Sequence, residues 1–92
     1  MYEVVLSPRS TRALQDGLPS GVAGAVVELL HGPLRTAPRA VGKPLGAPFL
    51  GCLAVRRGEY RVLYQVDDDA KRVTVERIVH RRDAYRGGRN GR

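Results

Sequence analysis

The spacing of apolar positions changes along the chain, from helical spacing in the first half to strand alternation in the second. A β-branched run at residues 2–6 predicts a first strand, which Ser7 and Pro8 end. Helices are predicted after it at about residues 8–16 and 20–31. The second has one apolar face at helical spacing, formed by Val22, Val26, Leu29 and Leu30. The first half is therefore expected to place two helices beside a strand.

Residues 32–50 hold four prolines with apolar side chains between them, which predicts an ordered loop docked on the core. Three strands are predicted next, at residues 50–56, 60–66 and 72–79, and the short turns between them require antiparallel neighbours. Alternation slips at residues 77–79, which favours a bulge there. The expected fold is α+β, of order β-α-α-β-β-β, with a mostly antiparallel sheet and the two N-terminal helices packed on one face.

Alternation also predicts which side chains face away from the helices. In residues 60–66 an apolar set opposes the set that contains Arg61, so Arg61 is expected to point away from the core. In residues 50–56 the same outer face carries three side chains: Cys52, Ala54 and Arg56. We expect Cys52 and Ala54 to lie in solvent on this face.

The length of 92 residues allows one domain, predicted at residues 1–86, with a disordered tail at residues 87–92. Its net charge of +7 is concentrated in residues 51–92, which hold eleven basic and six acidic side chains. Fourteen of the sixteen basic residues are arginine, whose planar fork suits phosphate. GC-rich codon usage explains that ratio equally well, but it does not explain where the charge lies.

Several classes of function are excluded by what the chain lacks. No apolar run approaches the roughly 20 residues of a membrane helix, and no signal peptide is visible. We therefore expect a cytoplasmic protein without a membrane partner. The single cysteine, Cys52, excludes an internal disulfide and a multi-cysteine zinc site. The run at residues 67–69 is acidic but lies in one turn, so neither a metal site nor another cofactor is expected.

Three motifs occur in order along the chain: Lys43-Pro44-Leu45, the strand Gly58-Glu59-Tyr60-Arg61-Val62-Leu63-Tyr64, and the ending His80-Arg81-Arg82-Asp83-Ala84-Tyr85. With this order of elements, nearly the whole chain resembles the RelE/ParE superfamily of bacterial toxins, and RelE toxins most. The resemblance implies the toxin of a toxin–antitoxin pair, an endonuclease that cleaves mRNA in the ribosomal A site and so inhibits translation. It also implies metal-independent attack of a 2′-hydroxyl on its neighbouring phosphodiester.

The same resemblance implies site residues. Arg61 and Arg81 match positions that clamp the phosphate, and Tyr85 matches a tyrosine that contacts the substrate, so these are the catalytic candidates. The RNA-binding candidates are Arg56, His80, Arg82 and Lys43. Structural alternatives remain open: a solvated arginine on an exposed sheet face, a core anchor for Tyr85, and a hydrogen bond from His80 to the C-terminal segment.

One departure from the RelE pattern keeps a second function open. Cys52 and Ala54 stand where that pattern has two lysines, one of them a proposed general base, and His80 is the nearest titratable substitute. The alternative is a toxin of the same fold without nuclease activity, either a gyrase poison of the ParE kind or a co-repressor. The implied partners are a RelB-like antitoxin that wraps the toxin, the ribosome and mRNA, and operator DNA through the antitoxin alone.

Overall fold

Five strands form one mixed sheet in the computed structural model, which describes residues 1–83. The elements in chain order are β1 Glu3–Leu6, α1 Pro8–Arg12, α2 Ser20–His31, α3 Pro33–Thr36, α4 Pro38–Val41, β2 Lys43–Pro44, β3 Leu53–Arg57, β4 Tyr60–Asp67 and β5 Arg72–His80. A π-helical turn at Ala13–Gly17 continues α1, and a 3-10 turn at Arg81–Asp83 follows β5. The sheet order is β1-β5-β4-β3-β2, in which β1 runs parallel to β5 and the other pairs are antiparallel. The predicted α+β class and mostly antiparallel sheet are confirmed.

Serine side chains start α1 and attach it to the sheet. Ser7 Oγ accepts a hydrogen bond from Ser10 N at 3.1 Å, and Pro8 occupies the first helical turn, as predicted. Ser10 is fully buried, and its Oγ donates to the carbonyl oxygen of Val75 on β5 at 2.9 Å. The start of α1 is therefore held against the middle of β5.

The loop predicted over residues 32–50 is partly wrong, because it contains α3, α4 and the short strand β2. Pro33 and Pro38 each occupy the first turn of a new helix. Proline ends one helix and is equally suited to begin the next, because its φ is already helical and its missing N–H has no partner there anyway. The expected docking is present, since Leu34 is fully buried in the core.

The core lies between α2 and one face of the sheet. Its fully buried members include Val26, Leu29, Leu34, Val62, Tyr64, Val73 and Val75. The pairing register shifts between Leu63, opposite Arg77, and Tyr64, opposite Val75, so that Glu76 is the extra residue. This bulge, one residue before the predicted slip, lets both Val75 and Ile78 face the core.

Tyr64 connects β4 to the helical half through its hydroxyl. This side chain is fully buried, its Oη donates to the carbonyl oxygen of Pro38 at 2.6 Å, and burial raises the pKa of Tyr64. Gly42 lies against the same hydroxyl, where a Cβ would collide with Oη. The contact therefore fixes the chain just before β2.

Tyr64→Phe is expected to lower the free energy of unfolding by about 1–3 kcal/mol, because it leaves a buried carbonyl without its donor. Urea unfolding monitored by circular dichroism measures the change. Tyr60→Phe is the matched control, since the Tyr60 hydroxyl makes no hydrogen bond among residues 1–83, and its stability should stay within about 0.5 kcal/mol of the parent. Equal stability of the two variants would contradict the assigned hydrogen bond.

The β4–β5 turn is attached to the helical half through Asp68. Arg39 Nε donates to one carboxylate oxygen at 2.9 Å, and Tyr2 Oη donates to the other at 2.6 Å. The hydrogen bond from Arg39, followed by that from Tyr2, holds the pKa of Asp68 below its ordinary value of 3.8. A lowered pKa in the folded state means that the ionised carboxylate stabilises the fold.

Asp68→Asn should therefore destabilise the protein at neutral pH. The contribution of Asp68 is present above its unfolded pKa and is lost as pH falls through the lower folded pKa. The difference in unfolding midpoint between parent and variant should be constant near neutrality and should shrink in acid, below pH 3.8. Asp69→Asn, in the same turn, is the control. A difference that persists unchanged into acid would contradict the ionised contact.

Candidate nucleic-acid interface

The face of the sheet opposite α2, here called the groove face, carries a row of cations. Arg56 on β3 pairs directly with Arg61 on β4, so both side chains lie on this face. Lys43 on β2 pairs with Ala54 on β3 and extends the row to the sheet edge. Like charges directly opposite each other repel and destabilise a sheet. The clustering of these cationic side chains is explained if the groove face binds an anion.

Two clefts formed by described residues open on the groove face and share the side chain of Arg61. The first, of about 510 Å³, is lined by Lys43, Ala54, Arg56 and Arg61 among others. The second, of about 520 Å³, is lined by Glu59, Arg61, His80, Arg81 and Arg82. Six of the seven predicted site residues thus line one continuous cationic surface. The seventh, Tyr85, lies outside the described residues, as does the predicted tail.

Arg81 is held by Glu59, which ends the turn between β3 and β4. The Arg81 backbone N–H donates to the carbonyl oxygen of Glu59 at 2.6 Å. Arg81 Nε also contacts Glu59 Oε1 at 2.6 Å, although both side chains are more than half exposed. Because this ion pair uses Nε, the two terminal nitrogens of the guanidinium take no part in it and can donate to an anion.

His80 makes the contacts expected of a structural histidine and also lines the second cleft. Its Nδ1 accepts a hydrogen bond from the backbone N–H of Arg82 at 3.2 Å. Its ring packs edge-on against Tyr60, with ring centroids 5.3 Å apart. An imidazole that accepts at Nδ1 carries its proton at Nε2. His80 is therefore arranged to donate a hydrogen bond from Nε2, and because Nδ1 already accepts one, this form suits neither a general base nor a general acid.

The predicted exposure of Ala54 is wrong. Ala54 is only 9% exposed, because β2, which the sequence did not predict, pairs with β3 and places Lys43 opposite it. Cys52 is partly buried, with its Sγ 3.7 Å from the side-chain nitrogen of Gln65 on the neighbouring strand. The wall of the first cleft therefore has its lysine on β2, at the position that pairs with Ala54.

Comparison with known proteins decides the family. A family model described as "ParE toxin of type II toxin-antitoxin system, parDE" matches residues 10–85, well over half of the chain. The chain belongs to the RelE/ParE superfamily of toxins. It is thus the toxin of a type II toxin–antitoxin system, and the predicted family is confirmed.

Two relatives from Mycobacterium tuberculosis are close to this toxin in sequence. It is 41% identical to Toxin RelE over 85 residues, which are 92% of this chain and 87% of the relative. It is 45% identical to Toxin RelG over 85 residues, which are 92% and 97% of the two chains. Both relatives carry names of the RelE type, which agrees with the predicted subgroup.

Solved structures support the fold. The toxin–antitoxin complex RelBE2 of Mycobacterium tuberculosis matches with a TM-score of 0.78 and 40% identity, covering 87% of this chain and 98% of that one. The isolated Escherichia coli RelE toxin matches with a TM-score of 0.70 over 87% of this chain and 84% of that one. Its identity of 23% shows the fold alone.

Arg77 is a cationic residue of the toxin's groove face that the sequence pattern concealed. It lies opposite Leu63 and is partly buried, and this burial, together with nearby Arg9, lowers the pKa of Arg77. The bulge at Glu76 reverses the alternation just before Arg77, so simple counting along β5 does not reveal its face. Arg77 extends the positive surface from the clefts towards α1.

The described part of the toxin offers neither a metal-ligand cluster nor a membrane-spanning helix. Among residues 1–83, no three histidine, cysteine, aspartate or glutamate side chains are grouped as they would be around a metal ion. No helix in this part of the chain has the length and apolar character needed to cross a membrane.

Proposed function

We propose that the toxin is a ribosome-dependent mRNA endonuclease that inhibits translation. The observation that supports this most is the position of Arg61 in the wall shared by both clefts. Arg56 lies on one side of it and Arg81 on the other. A single RNA strand crossing the groove face can thus receive cationic contacts before, at and after one phosphate.

The proposed reaction is an attack of a ribose 2′-oxygen on the adjacent phosphorus. The 2′-hydroxyl gives its proton to a base, the new P–O2′ bond forms, and the P–O5′ bond breaks. The leaving 5′-oxygen takes up a proton, so the products are a 2′,3′-cyclic phosphate and a 5′-hydroxyl. Negative charge accumulates on the phosphate oxygens in the transition state, and we assign Arg61 and Arg81 to stabilise it.

Hydrogen bonding to the phosphate and proton transfer are assigned to the two ends of the surface. His80 presents its Nε2–H in the second cleft, where it can donate a hydrogen bond to the phosphate or to the leaving oxygen, and the leaving oxygen takes its proton from water. Lys43 supplies an amino group in the first cleft, on the wall where Cys52 and Ala54 supply none. There it can act as proton acceptor or as a cation beside the phosphate. Arg82 and Arg56 are assigned to bind RNA, and so is Tyr85, on its family position alone.

A RelB-like antitoxin is the proposed protein partner, and operator DNA is proposed to be contacted only through it. Structures of RelBE2 and of the intact Escherichia coli RelBE pair are toxin–antitoxin complexes. The net charge of +7 predicts that the antitoxin segment covering the clefts is acidic. Because ribosomes and mRNA are the proposed targets, we place the action of the toxin in the cytoplasm.

The second candidate is a gyrase poison, and two observations favour it. The matching family model is described by the ParE name. In addition, neither Ala54, on β3, nor Cys52, just before it, has a side-chain amino group. Purified toxin should be assayed in parallel on mRNA-programmed ribosomes and on gyrase with relaxed plasmid. We expect cleavage of ribosome-bound mRNA, with 5′-hydroxyl ends, and unchanged supercoiling. Inhibited supercoiling with intact mRNA would select the second candidate, and no effect in either assay would favour the co-repressor.

A further inference from the structure

Glu59 is an acidic residue in the wall of a cleft that is otherwise lined by three arginines and His80. It shares the second cleft with Arg61, Arg81 and Arg82, where a carboxylate repels an incoming phosphate. Its carboxylate contacts Arg81 Nε at 2.6 Å, and its carbonyl oxygen accepts from the backbone N–H of Arg81. Glu59 therefore holds Arg81 at two points, one through its side chain and one through its backbone.

We infer that Glu59 is a positioning residue for Arg81, an inference that rests on the proposed function. An arginine side chain that is 58% exposed has many rotamers available, and only some of them direct the guanidinium towards the cleft. The bond from Nε to Glu59 selects among these rotamers before RNA arrives. It also leaves the two terminal nitrogens to grip two phosphate oxygens, the geometry in which an arginine fork binds phosphate.

The β3–β4 hairpin accounts for this contact. Tyr60 pairs with His80, so the residue before Tyr60 lies next to the residue after His80. Gly58 makes the turn compact, with a positive φ of 60° that glycine adopts readily. The backbone bond from Arg81 does not depend on the Glu59 side chain, and exposed ion pairs contribute little to stability. Removing the carboxylate should therefore release the guanidinium while the 3-10 turn stays folded.

Two substitutions separate positioning from the alternative that Glu59 is itself the proton acceptor. Gln retains a side-chain oxygen that can accept from Nε but is no base, whereas Ala retains neither property. Glu59→Gln should cleave ribosome-bound mRNA within about threefold of the parent, and Glu59→Ala should lose about tenfold or more in kcat. In an Arg81→Ala background, Glu59→Ala should cause no further loss. Asp69→Ala, an exposed carboxylate in another turn, is the control for a change in net charge.

A measurement without RNA cleavage tests the contact on its own. The Nε–H resonance of Arg81 and the affinity of the toxin for inorganic phosphate should change in Glu59→Ala and be retained in Glu59→Gln. Glu59→Gln cleaving as poorly as Glu59→Ala would overturn positioning, as would independent losses from Glu59→Ala and Arg81→Ala. If the parent toxin fails to cleave while resonance and phosphate affinity follow the expected order, the proposed function fails and positioning by Glu59 is supported.

Discussion

Arg61→Ala is expected to reduce cleavage of ribosome-bound mRNA by about a hundredfold or more, the usual cost of losing one transition-state charge donor. Arg61 lines both clefts, so a phosphate at their junction loses its central contact. Arg81→Ala should also relieve toxicity, through loss of the terminal nitrogens in the second cleft. Arg61→Lys should retain part of the binding but not the two-oxygen grip, and so fall between parent and Ala. Single-turnover cleavage on programmed ribosomes measures all three.

Arg12→Ala is the matched control for these variants, because it removes the same charge from an exposed position on α1, outside both clefts. It should cleave like the parent. Melting temperatures should be measured for every variant, since the fold has to be intact for the comparison. Full toxicity of both Arg61→Ala and Arg81→Ala would contradict the assignment of the groove face to the phosphate.

Lys43→Ala is expected to have the second large effect, a loss of about a hundredfold in cleavage rate if Lys43 takes part in proton transfer. Side chains paired across adjacent strands have Cβ atoms about 5 Å apart and reach the same space. Lys43 and Ala54 are such a pair. Transferring the lysine, as Lys43→Ala with Ala54→Lys, should therefore restore much of the lost rate in the same assay.

Lys43→Arg separates the two roles of the amino group, because arginine keeps the charge but does not give up its proton. If Lys43→Arg cleaves as slowly as Lys43→Ala, the amino group acts in proton transfer. If Lys43→Arg cleaves at nearly the parental rate, the positive charge of Lys43 is what cleavage requires. Ala54 is buried, so Ala54→Lys carries a desolvation cost and its melting transition has to be recorded. A parental rate in Lys43→Ala would contradict any role for Lys43 in cleavage.

Strand alternation predicted most of the C-terminal half, because β3, β4 and β5 are neighbours in both sequence and space. It could not predict the parallel pairing of β1 with β5, since a local pattern carries no information about distant partners. The prolines of residues 32–50 were interpreted as loop formers, although Pro33 and Pro38 begin helices. Proline is compatible with both, and tertiary packing of Leu34 decides between them.

The candidate site was predicted mainly by motif resemblance, and the structure adds the geometry that motifs lack. The pairing of Arg56 with Arg61 follows from a two-residue turn at Gly58 and Glu59, whereas the predicted strands, ending at residue 56 and beginning at residue 60, implied a three-residue turn and a different register. Arg77 was hidden by the bulge at Glu76, and the burial of Ala54 by a two-residue strand too short to give a periodic pattern. No local pattern could indicate the contact between Glu59 and Arg81, which depends on where β5 ends.

Mapping mRNA 5′ ends after induced expression tests the central claim most directly. Cells expressing the toxin should accumulate new 5′-hydroxyl ends inside coding regions, at a fixed position relative to the reading frame, because the ribosome presents the mRNA to the groove face. The Arg61→Ala variant, expressed to the same level, should give none of these ends. Growth arrest without new mRNA ends, or ends that persist with Arg61→Ala, would contradict the assignment of ribosome-dependent cleavage to this surface.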